Sequence, residues 1–198
     1  MSELIIPLFP LHTVLFPGGL LSLRIFEPRY LDMVSNCMKS GSGFGVCLIC
    51  EGDEAGKGVA VHAVGALATI TDWHTRSDGL LGITVHGQQR FAVRAQRIEP
   101  NQLVMGTVTM IEPEPELDVP DEYFPLVGAL RQTMEQVGYP QVAMARFSEA
   151  TWVGCRLAEL LPLKLPIKQE LLQLTDPLQR LARIHVILQG LDLHPTDR

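Results

Sequence analysis

The chain has 198 residues, 46% hydrophobic and 19% charged, with a formal net charge of −6. That length suits one large or two small domains, and the apolar content argues against disorder of the whole chain. The acidic balance and the scatter of Arg and Lys argue against a nucleic-acid partner, whose phosphates select a basic stripe. The opening MSELIIPLFP lacks the basic and apolar regions of a signal peptide. No apolar run approaches a bilayer span, so the expected setting is soluble and cytoplasmic, without a membrane.

In chain order, LIIPLFPL and TVLFPGGLLSLRIF read as strands punctuated by Pro and Gly, and so short, bent or at an edge. RIFEPRYLDM then changes character. Glu27, Pro28, Arg29 and Tyr30 arrive together, and a helical pattern runs from Pro28 to about Ser40. Leu31, Val34 and Met38 are expected on its buried face, with Gly41 as its cap. GFGVCLIC suits a strand buried on both faces. EGDEAGKG is a polar connection. VAVHAVGALATITDW, LLGITVHGQQRFAVRAQRI and LVMGTVTMI continue the strands, with RSDGL as a turn.

At Glu112 the composition shifts to EPEPELDVPDE, which reads as an extended, proline-stiffened linker. Beyond it the signals are helical. Pro120 is placed at a first helical position with Asp121 and Glu122 in the first turn, and Gly138 and Pro140 as the stop. Trp152, Val153, Leu157, Leu160 and Leu161 share a face of the next helix. IKQELLQL makes a short one. Asp176 and Pro177 start the last, striped by Leu178, Leu181, Ile184, Leu188 and Leu191. The expected fold is segregated α+β, with a β-rich lobe over 1–117 and a helical lobe over 118–198.

Chemical motifs are sparse. Cys47 and Cys50 have C-x-x-C spacing but sit in a strand-like run without a second pair, so both read as buried and inert. The histidines form no ligand motif, GSGFG lacks the Lys and hydroxyl of a phosphate loop, and no nucleophile elbow occurs. No catalytic, cofactor or metal site is assigned. Glu27 and Arg29 could act as an acid and its helper, but a strand-to-helix junction explains them better. Arg90 reads as a structural ion pair or carbonyl contact, and Trp73 with His74 is the aromatic candidate for a partner contact.

Taken together, PLFPLHTVLFPGGLLSLRIFEPRYLDMV resembles the opening of the Lon protease N-terminal domain. VGALATITDW, DGLLGITVHGQQRF and KQELLQLTDPLQRLARIHVIL are similar to later segments of that family, in order. The resemblance implies a PUA-like β lobe, a helical lobe, and recognition of unfolded or tagged polypeptides without catalysis. The matched residues Glu27, Pro28, Arg29, Tyr30, Gly87 and Arg90 are expected to be architectural. The sequence contains no ATPase or Ser-Lys protease module, so the expectation is a stand-alone, non-enzymatic LON domain binding a polypeptide or protein partner. The alternatives are an enzyme with a site between the lobes and a PUA-like RNA-binding module. Apolar strands near the N-terminus leave room for a homo-oligomer.

Overall fold

A computed structural model of the chain describes residues 3–52, 54, 59–139 and 145–192. The chain divides into two compact units, Met1–Pro113 and Glu114–Arg198.

The first unit contains β1 (Glu3–Leu11), β2 (Leu20–Ile25), α1 (Pro28–Ser40), β3 (Phe44–Glu51), β4 (Ala60–Val61), β5 (Val64–Thr75), β6 (Leu81–Ile98) and β7 (Val104–Met110). The neighbours run β1-β7-β6-β5-β3, and β3 pairs back onto β1, so five strands close a ring. The closing pair is parallel, from Leu8 opposite Gly45 to Leu11 opposite Leu48. A parallel pair needs a crossover rather than a hairpin, and β2 with α1 supplies it.

Side chains alternate between the two surfaces of the ring. Leu8, Cys47, Phe91, Val104 and Val108 form one buried cluster. A small ring has little interior space. A Cβ added at Gly45 or Gly65 would lie 2.5 or 2.7 Å from the Phe91 ring, and one at Gly106 would lie 2.7 Å from Leu8. The other surface carries Phe9, Phe44, Val46, Ala66, Ala68, Ile83 and Val85, covered by Tyr30, Met33, Val34 and Cys37 of α1.

The buried face of α1 differs from the expected one. Val34 is buried, but Leu31 is 39% and Met38 44% exposed. The inward row is Tyr30, Met33, Val34 and Cys37, because the Tyr30 ring stacks on Phe9 at 4.0 Å between centroids. Gly41 does cap the helix, in the left-handed conformation that glycine adopts readily.

The second unit contains a 3-10 turn (Asp121–Tyr123), α2 (Phe124–Val137), α3 (Ala150–Leu160), α4 (Leu165–Gln173) and α5 (Pro177–Asp192). The α-helical start falls later than expected: Asp121 and Glu122 are in the 3-10 turn, and Pro125 takes the first-turn position of α2. Gly138 ends α2 in a left-handed conformation, whereas Pro140 lies outside the described residues. Helix α3 buries Val153 and Leu157, but also Gly154, Cys155 and Arg156, while Trp152, Leu160 and Leu161 are only partly buried. It is therefore enclosed on more sides than a single stripe implies. Asp176 caps α5 by accepting the Leu178 N–H at 2.9 Å, and Leu181 and Ile184 are fully buried. The Leu191 side chain lies outside the description.

The proline-rich stretch is not a free linker. Leu117 accepts the Ala150 N–H, and Val119 donates to Ser148, both at 2.8 Å. The Glu114 carboxylate is buried, takes Arg180 Nη1 at 2.7 Å and accepts a hydrogen bond from Thr151 at 3.0 Å. Arg180 also donates to the Leu171 carbonyl at 2.9 Å, so its charge is held by fixed oxygens.

Removing one partner of a buried pair strands the other charge. Glu114→Ala is expected to lower unfolding free energy by about 3 kcal/mol. Arg183→Ala breaks the half-exposed Arg183–Glu170 pair and should cost at most about 0.5 kcal/mol. Urea denaturation of both variants checks the contrast.

Candidate functional site

The charged junction at the start of α1 is tied inward. Pro28 occupies the first helical turn, and Glu27 precedes it in an extended conformation without capping the helix through its side chain. The Glu27 carboxylate instead meets Arg29 at 2.7 Å. Arg29 is buried and donates to the Gln102 carbonyl at 2.8 Å and the Glu54 carbonyl at 3.1 Å. Its guanidinium lies 4.7 Å from the Tyr30 ring centroid. Burial pushes the Tyr30 hydroxyl up to about 12, with Arg29 opposing the shift. One cation thus holds two loops remote in sequence against the helix start.

Gly87 and Arg90 sit together in β6, where the pairing with β5 shifts register between Ala66 and Ala68. Gly87 exchanges backbone hydrogen bonds with Gly18 and Gly19, at 2.7 and 2.8 Å, and a Cβ there would collide with the Phe16 carbonyl oxygen. Arg90 is 4% exposed, and its carbonyl accepts the Ile111 N–H at 2.9 Å.

The open surface lies at the other end of α1. A depression of about 330 Å³ is lined by Cys37, Met38, Gly41, Ser42 and residues 69–73 of β5. Trp73 is 59% exposed on its rim. Beside it a smaller depression of about 230 Å³ is lined by Pro7, Met33, Asn36, Cys37, Ser42, Leu103 and Met105. The two share Cys37 and Ser42, so together they flank the last turn of α1. Of the aromatic pair singled out by sequence, Trp73 reaches this surface. The His74 ring instead lies over Gly82, its partner in β6. Met38, Ser42, Thr69, Ile70, Thr71 and Asp72 were not anticipated as lining residues. The available signal was the seven-residue spacing of Leu31 and Met38, which places an apolar pair on one helix face.

The cysteines separate by depth. Cys47 is buried and its thiol is pushed up to about 12 by burial. Cys50 is exposed, contrary to the expectation of two buried thiols, because β3 loses its cover after Ile49. Among the described residues no group of three or more His, Cys, Asp or Glu could hold a metal ion. Among them, too, no helix is long and apolar enough to cross a membrane.

A strand ring crossed by one helix, with a depression at the end of that helix and a helical second unit, is an α+β architecture. The chain belongs to the family of ATP-dependent protease La (LON) substrate-binding domains, whose model matches residues 5–190. It is similar to the Lon N-terminal domain protein from Xanthomonas campestris, with 38% identity, TM-score 0.77, and coverage of 97% of this chain and 99% of that one. The N-terminal domain of the Mycobacterium avium complex Lon protease shares the fold at 16% identity and TM-score 0.65, covering 91% and 95% of the two chains.

Arg29→Ala is expected to lower stability by about 3 kcal/mol, since two carbonyls and a carboxylate lose their donor. Glu27→Ala should cost less, and neither change should alter ligand binding at temperatures where the variant stays folded. Calorimetry alongside a binding titration checks this, and normal melting with lost binding would refute the structural role. Iodoacetamide at neutral pH should label Cys50 in the folded chain and Cys47 only after unfolding, as read by peptide mass spectrometry.

Proposed function

We propose that the chain is a non-enzymatic binding module for polypeptide segments, and that the surface flanking the last turn of α1 receives them. The observation that carries this reading is a pair of exposed apolar side chains lining one concave surface. Met38 and Trp73, 44% and 59% exposed, line the larger depression together with Ser42, Thr69, Thr71 and Asp72, and the adjoining one is lined by Pro7, Met33, Leu103 and Met105. Exposed apolar groups grouped around a concavity are the usual mark of a protein-interaction surface. Membership of a substrate-binding family supports the same reading. Unfolded chains expose the apolar side chains that such a surface can cover.

The test is fluorescence anisotropy with labelled, reduced and carboxymethylated casein. Met38→Ser with Trp73→Ser should weaken binding about tenfold, the scale of one lost anchor. Melting should change little, because both side chains already face water. Binding equal to that of the unaltered chain would sink the proposed surface.

A further inference from the structure

The edge of β5 offers more than apolar cover. Its ladder with β3 ends at the pairing of Phe44 with Ala68, while its ladder with β6 continues to Thr75 opposite Leu81. Among the described residues no strand pairs with 69–75 on the side away from β6. A strand edge without a neighbour presents backbone donors and acceptors that a further strand can satisfy. The larger depression runs beside this edge, between it and the last turn of α1. We propose that the bound segment is an extended peptide carrying a basic residue, and that it pairs as an added strand with the free edge of β5.

The charge follows from Asp72. It is the one carboxylate among the lining residues, and the described residues give it no ion-pair partner, whereas Asp78 further along the chain is paired with Arg24 and Arg76. A Lys or Arg in the guest would meet Asp72 on a chain that is itself net acidic. A second copy of this chain fits less well. Two β5 edges paired antiparallel about Asp72 would set the two carboxylates opposite each other, which destabilises a sheet. The register shift between Ile70 and Asp72 sets two residues of β5 against one of β6, an irregularity that discourages extension into a long sheet and confines regular pairing to a few residues on either side. This inference rests on the polypeptide-binding reading and adds to it the backbone pairing and the charge of the guest.

The experiment uses the full chain and a labelled ten-residue peptide of alternating Val and Thr with one central Lys. Two further peptides carry N-methyl groups on alternate backbone amides, one on each strand edge. Strand addition requires one set to weaken binding about tenfold and the other to leave it nearly unchanged. Replacing the central Lys by Glu should weaken binding several-fold, and Asp72→Lys should restore it. Equal binding by the two methylated peptides would overturn the pairing, and loss of charge dependence would overturn the role of Asp72. If casein still binds and is lost with Met38→Ser and Trp73→Ser, the broader reading survives that failure. If casein does not bind, both fail. A dimer in light scattering that Trp73→Ser dissolves would give the edge to a second copy and overturn the inference.

Discussion

Closing a ring with only five strands is the constraint on which the first unit depends. The ring closes through the parallel pairing of β1 with β3, and its interior is filled by Leu8 and Phe91. Those side chains fit because Gly45, Gly65 and Gly106 leave the space that a Cβ would occupy. Parallel closure also obliges the chain to cross over between β1 and β3. The crossover carries α1 onto the outer surface, where Tyr30 stacks on Phe9. Arg29 then fastens the helix start through the Gln102 and Glu54 carbonyls. The charged junction thus follows from how the ring shuts, with Arg29 Nη1 and Nη2 bonded to the Gln102 and Glu54 carbonyls and Nη2 beside the Glu27 carboxylate.

The same closure creates the candidate site. Strand β3 meets β5 only over Val46 to Phe44, while β5 and β6 run on beyond the ring, with β2 against β6. The chain entering β3 from α1 passes close to Ala68, and among the described residues no strand pairs with the edge of β5 beyond it. The outward row of α1 brings Met38 beside that bare edge. A depression between the β5 strand and the last turn of α1 results from strands of unequal length.

In the second unit the organising contact is polar. Arg180 is fully buried and would be costly there without Glu114. Their pairing draws the proline-rich stretch onto the helices, and the Leu117 and Val119 backbones complete the attachment. A segment whose composition reads as a spacer is consequently part of the packed unit.

Much of this was legible in the residues. The strand series, the helix opened by Pro28, the cap at Asp176 and the family all follow from local signals. Those signals are backbone restrictions and periodicities that act within a few residues. The motif EPRY could be read as a junction because proline and a preceding extended residue dictate that geometry locally. What tertiary structure alone decided were the relations across distance. The apolar letters of α1 did not determine its inward face, since Tyr30 and Cys37 compete with Leu31 and Met38 and the choice depends on Phe9. The burial of Cys47 and exposure of Cys50 depend on where the cover of β3 stops. The bare edge of β5 depends on where β3 ends in register, and the fate of the proline-rich stretch on an arginine far along the chain. Each turns on which distant surface meets which residue, and no local periodicity encodes that.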